Sequence, residues 1–186
     1  MTAVRDVPVI PGYVAGTWNI DPVHSDVSFM VRHVGLTRFR RSFEKFGGQL
    51  VTAENPLDSS VTATVDLSSF DTGLEPFNRH LLSADYFDVE HHPEATLRST
   101  GLRAAGELFA LDAELSLRGL TRPVTFQLEL LGIGIGSRGE TKMGLSASTT
   151  VNREDFGIGG AGTVPSGAFI IGAQVRILLE IEAVLQ

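Results

Sequence analysis

An all-β fold of antiparallel strands follows from three observations in this chain of 186 residues. Apolar and polar residues alternate with period two in about eight separate segments. Only one stretch repeats at helical spacing. Clusters of glycine, proline and asparagine divide the segments. Period two gives each strand one face for water and one for a core.

Val27, Phe29 and Val31 share a face, with Ser25 and His33 at its ends, and Asp26, Ser28 and Arg32 point the other way. Residues 38–52 also read as strand, with a slip of phase. Phe39, Arg41 and Phe43 share one face, then Phe46, Gly48 and Leu50, so a bulge near Glu44-Lys45 is expected. Further strands run through Val61–Leu67, Phe109–Leu117, Val124–Leu130, Leu145–Val151 and Val175–Leu185. Leu74, Phe77, Leu81 and Ala84 recur at helical spacing, and Pro76 suits a first turn, so residues 76–86 are expected to form short helical turns. Turns are signalled at Glu54-Asn55-Pro56, Gly101 to Gly106, Arg118-Gly119 and Gly132 to Gly139.

Such strands close into a barrel or pack as a sandwich. A barrel of about eight strands has a bore that side chains fill or one small ligand occupies. Ala63, Ala113, Ala147, Thr149 and Ala183 lie on inward faces, and small inward residues leave room.

Composition removes several functions. The chain has no cysteine, which excludes disulfides, thiolate catalysis and Cys-based zinc sites. A formal net charge of −7 suits no phosphate backbone, so no nucleic-acid partner is expected. The small basic cluster Arg38, Arg40 and Arg41 suits one anionic head group at most. No apolar run approaches the roughly 20 residues of a membrane span. The opening MTAVRDVPVIPGYVAG does not read as a secretory signal, so a cytoplasmic location is expected. Residues 1–15 read as an N-terminal extension and 16–186 as one domain.

An ordered set of motifs then narrows the fold. Trp18-Asn19-Ile20-Asp21-Pro22-Val23-His24-Ser25 and Phe29-Met30-Val31-Arg32-His33 come first. Ser69-Phe70-Asp71-Thr72-Gly73, His80-Leu81, Ser83-Ala84-Asp85-Tyr86-Phe87-Asp88-Val89, His92-Pro93 and Ser99-Thr100 follow. Leu117-Arg118-Gly119-Leu120-Thr121-Arg122-Pro123-Val124 and Arg153-Glu154-Asp155-Phe156-Gly157 complete the set. In this order they resemble the YceI-like family of polyisoprenoid-binding proteins. That resemblance implies a single extended eight-stranded antiparallel lipocalin-like β-barrel with a short helical insertion. It implies a pocket for a polyisoprenoid chain and supplies no catalytic residues. The chain departs from the family at Phe77-Asn78, where Arg-Asp is common, at Arg41, where glycine is usual, and at Leu97, where an aromatic is usual. The first two departures bear on head-group preference.

The expected ligand contacts follow the inward faces. Phe29, Val31 and His33 come from the first long strand, Arg41 and Phe43 from the next. Phe77, His80, Leu81 and Phe87 come from the helical insertion, placed over the barrel mouth. Phe109, Leu111, Leu115, Phe126, Leu128 and Thr149 come from the central strands, and Arg153 and Phe156 from the turn after them. A neutral His33 imidazole suits a quinone oxygen and a charged one suits a phosphate, while His80 suits a head group or a cap contact. Arg41 and Arg153 suit an anionic head group, or a surface ion pair.

Other patterns carry less. His24-Ser25-Asp26 has the residue types of a hydrolytic triad, but strand neighbours point to opposite faces. His91-His92-Pro93-Glu94 lacks the spacing of a metal site and reads as a solvated loop, so no metal is expected. Residues 134–139 and 157–162 both match G-x-G-x-x-G without a following helix signal. Glycine-rich residues 157–172 read as a flexible flap.

Energetics favour a long ligand. Burying one five-carbon isoprene unit contributes about 4 kcal/mol as an upper estimate, against roughly 4–15 kcal/mol for association. Several units bind tightly without strong polar contacts. The leading expectation is non-catalytic binding, storage or transport of an isoprenoid quinone or polyprenyl phosphate, with no cofactor required. The alternatives are an enzyme acting on a hydrophobic substrate through His33 or His80, and a ligand-free interaction module of stress response. A homodimer is compatible with apolar rim residues.

Overall fold

The last strand organises the sheet. In the computed structural model, which describes residues 9–159 and 162–186, β10 (Ile171–Leu185) pairs along one edge with β9 (Thr141–Asn152). Its other edge serves two strands in series. β2 (Asp26–His33) takes Ile171–Glu180, and β1 (Gly16–Ile20) takes Ala183–Leu185. β3 (Thr37–Phe43) and β4 (Phe46–Thr52) then pair with β2 and β1 respectively. Each of these couples is one strand interrupted. β5 (Ser60–Asp66), β6 (Glu94–Ala105), β7 (Leu108–Leu117) and β8 (Leu120–Ile135) complete the ring. The order β1-β4-β5-β6-β7-β8-β9-β10 returns to β1, an antiparallel barrel of eight strands. The open choice between sandwich and barrel is thereby settled.

Local chemistry explains both interruptions. Pro22 has no N–H for a ladder, and the Asp21 carboxylate accepts from the Val23 amide, which turns the chain between β1 and β2. At Glu44-Lys45, where the slip of phase placed a bulge, the Glu44 amide donates to Ser69 O and the Asp66 amide donates to Lys45 O. The backbone of the slip is therefore satisfied locally.

The barrel closes at one end and flares at the other. At the closed end Trp18, Met143 and Ala183 form a buried cluster, and Trp18 is wholly inaccessible. Trp18 Nε1 donates to Thr52 Oγ1 at 2.8 Å. Ile10 and Tyr13, from the segment the sequence set apart as an extension, lie against this end, where Tyr13 Oη donates to Ala53 O at 2.7 Å. Residues 1–8 of that extension lie outside the described residues. At the flared end β3 has β2 on one edge and, among the described residues, only the bridge Phe43↔Phe70 on the other. The helix α1 (Glu75–Leu82) covers this gap, one residue earlier at its start than the sequence pattern placed it. Pro76 occupies its first turn, and Phe77 packs on Phe39 with ring centroids 5.9 Å apart.

Among the described residues no helix is long and apolar enough to cross a membrane.

Candidate functional site

Among the described residues, two apolar cavities lie inside the barrel. The upper one, at the flared end, measures about 400 Å³. Val27, Phe29 and Val31 of β2 and Phe39, Arg41 and Phe43 of β3 line one side. Val175 and Ile177 of β10, Leu115 of β7 and Val151 of β9 line the other, with Phe77, Leu81, Tyr86 and Phe87 above. The lower cavity measures about 130 Å³, and its lining includes Phe109, Leu111, Leu128, Leu145 and Leu179. The two share no lining residue.

Aromatic packing shapes the upper cavity. Phe29 lies within 5.7–6.3 Å, ring centroid to centroid, of Phe39, Phe43, Phe70 and Phe87. Edge-on pairs such as Phe70–Phe87 hold these rings in defined orientations. The alternation in β2 and β3 makes this possible, because Phe29 faces Arg41 across the ladder and the neighbours of Arg41 on the same face of β3 are Phe39 and Phe43.

The charged groups lining the upper cavity are cationic. Arg41 stacks its guanidinium 4.4 Å from the Phe39 centroid, and His33 stands exposed at the rim. Arg153 is only 3 % exposed. Its guanidinium donates to the carbonyls of Ile158 at 2.7 Å, Gly172 at 3.1 Å and Ile171 at 3.3 Å. Exposed Glu154 lies 3.7 Å away. Burial pushes the Tyr86 phenol up, against the nearby Arg153 charge. No carboxylate lines either cavity among the described residues.

Most of the contacts expected from the sequence converge. Phe29, Val31, His33, Arg41, Phe43, Phe77, Leu81, Phe87, Leu115, Arg153 and Phe156 all line the upper cavity. Phe109, Leu111 and Leu128 line the lower one instead. Three placements need correction. His80 lines neither cavity; it is exposed and packs edge-on against Tyr86 at 4.9 Å, because the last turn of α1 points it outward. Thr149 lines neither, because its hydroxyl is drawn to Thr125 O at 2.8 Å. Phe126 faces inward but lies between the cavities, packed with Leu111 and Ala147. Arg153 is no surface ion pair, since three backbone carbonyls absorb its donors.

The sequence reading missed Phe39, Val175, Ile177 and Tyr86. The first three share the inward register of residues already chosen, so the same alternation locates them. Tyr86 carries no such signal, because it sits in an irregular turn where Arg118 donates to its carbonyl.

The other clusters are structural. His24 Nδ1 meets Asp21 at 2.8 Å, while Ser25 Oγ donates to Glu182 O, so the triad types do not assemble. The ligand atoms of Asp21, His24 and Glu182 lie within 4.8 Å of one another. Lys142 Nζ stands 2.6 Å from Glu182 and already supplies the positive charge there. The glycine pattern at 134–139 spans the end of β8 and a turn. The one at 157–162 includes residues 160 and 161, which lie outside the described residues. In the rest of that loop Val164 and Ala168 bond as a tight turn, and Arg153 ties the two ends together.

These features define a closed antiparallel β-barrel with an apolar interior and a cationic mouth. The YceI-like domain model matches residues 18–183, and the chain belongs to the YceI-like family. A UPF0312 protein of Pectobacterium carotovorum is 31 % identical over 189 residues, covering 100 % of this chain and 95 % of its own. A UPF0312 protein of Photorhabdus laumondii is 34 % identical over 134 residues, covering 72 % and 70 %. Among solved structures, Burkholderia cenocepacia BcnA superposes with a TM-score of 0.76 at 22 % identity, over 88 % of this chain and 98 % of its own. A polyisoprenoid binding domain from Saccharophagus degradans superposes with a TM-score of 0.68 at 15 % identity, over 93 % and 100 %. At these identities the two structures speak to the fold.

Proposed function

We propose that this chain binds a long-chain isoprenoid lipid in its upper cavity and stores or carries it without catalysing a reaction. The observation that carries this reading is a hollow of about 400 Å³ walled by phenylalanine and aliphatic side chains. Such a hollow suits an apolar guest, because apolar cavities stay dry and take hydrocarbon. The fold relative described as a polyisoprenoid binding domain supports it. The absence of a carboxylate from both linings among the described residues leaves no carboxylate pair for hydrolysis. Arg41 and His33 at the rim favour a head group that is anionic or accepts hydrogen bonds, the chemistry of a polyprenyl phosphate or an isoprenoid quinone.

Mass spectrometry of organic extracts from gently purified protein tests this. A prenyl lipid near one equivalent is expected. Repeated empty preparations that also ignore added polyprenyl phosphate and ubiquinone would overturn it.

A further inference from the structure

We infer that the Phe126 ring is a partition across the bore and sets how many isoprene units the barrel takes in. This rests on the lipid reading above and specifies the ligand's length. Three observations carry it. The two cavities lie along one bore, because the same strands line both. On β10, Val175 and Ile177 face the upper cavity, and Leu179 and Ile181 face the lower. On β7, Leu115 and Leu117 face the upper, and Phe109 and Leu111 the lower. Between them lies a section whose residues line neither cavity, and it holds Phe126, 1 % exposed.

Some inward neighbours at this level are small. Ala113 on β7 and Thr149 on β9 are inward positions that line neither cavity, and Ala147 packs directly with Phe126. Ile177 from above and Leu179 from below both pack on the cluster that Phe126 forms with Leu111 and Ala147. The Phe126 ring, with the aliphatic side chains packed on it, therefore separates the two spaces.

The volumes translate into chain length. An apolar cavity of about 150 Å³ admits a six-carbon ring. On that scale the upper cavity, about 400 Å³, takes roughly three isoprene units, and the lower, about 130 Å³, takes roughly one more. With Phe126 in place the prenyl tail stops at the partition, and any further units stay at the mouth.

The test is a length series of prenyl alcohols with two, three, four and five isoprene units, titrated against the full chain, Phe126→Ala and Phe126→Leu. The native chain is expected to gain affinity up to three units and then level off within about threefold. Phe126→Ala is expected to gain tenfold or more between three and four units while binding the two-unit alcohol as the native chain does. Phe126→Leu, which keeps an apolar side chain should the alanine variant fail to fold, is expected to gain less in the same direction. Two results would overturn the partition: continued tenfold gains past three units in the native chain, or native length profiles in both variants. Failure of every alcohol to bind the native chain overturns the lipid reading as well, whereas binding with an unchanged profile overturns the partition alone.

Discussion

Ile177 and Leu179 stand two positions apart on β10 and point to the same side, yet each lines a different cavity. A strand two residues long in this direction crosses the level where Phe126 fills the bore. The barrel is thus hollow in two places and solid between them, and its stability and its capacity depend on different residues.

Capacity is open to direct attack. Ala95 on β6 lines the upper cavity opposite Val65. Ala95→Trp is expected to fill part of that space without leaving a cavity elsewhere. Prenyl binding should fall at least 100-fold, roughly 2.7 kcal/mol, with an unchanged circular dichroism spectrum. Native affinity in this variant would place the ligand elsewhere.

The closed end depends on Thr52. Its hydroxyl accepts from Trp18 Nε1 and reaches Val14 O at 2.7 Å. Thr52→Val keeps the shape and strands the buried indole N–H. A loss of about 1–3 kcal/mol is expected in urea denaturation, with prenyl binding in the upper cavity intact.

Arg153 acts on the loop that follows it. Arg153→Met removes charged donors from the Ile158, Ile171 and Gly172 carbonyls, and a loss of about 1.5–3 kcal/mol is expected. Arg153→Lys should recover little, since an ammonium lacks the planar fork that spans three acceptors. Faster amide exchange at Ile170, whose N–H donates to Gly162 O, is the local readout.

Gly48 lies where β4 runs close against β5. A Cβ there would lie 2.5 Å from Thr62 O and 2.9 Å from the Ala63 Cα. Both are backbone atoms of the paired strand, so no rotamer change relieves the clash. Gly48→Ala is expected to cost about 1–3 kcal/mol by thermal or urea unfolding.

Acid stability should show the Asp112 carboxyl. Hydrogen bonds from Arg103, at 2.9 and 3.1 Å, and from Thr125, at 2.7 Å, hold its pKa at about 2. The folded value lies below the ordinary 3.8, so this contribution is present above that pH and is lost as pH falls toward 2. Asp112→Asn should flatten that part of the stability profile. NMR titration of Asp112 with a midpoint near the ordinary value would contradict the assignment.

Much of the architecture was legible because a strand writes its two faces into alternate letters. The inward set Phe29, Val31, Phe43 and Leu115 follows from that alone, as does the slip at Glu44-Lys45. His80 and Thr149 were misplaced for a different reason. A short helix does not announce which way its last turn points, and a threonine on an inward face can turn its hydroxyl to a neighbouring carbonyl. The buried state of Arg153 had no sequence signal, because the carbonyls that accept from it belong to Ile158 and to the start of β10, which meet only in the folded chain.

Alternation, turn residues and the ordered motifs determined by themselves that this chain forms antiparallel strands with apolar inner faces, since each of those signals is local along the backbone. Only the tertiary structure decided that the ring closes at Trp18 and flares at β3, and that Phe126 divides the interior. Those outcomes depend on which distant side chains meet across the bore and how much volume each brings, and period two carries no record of that.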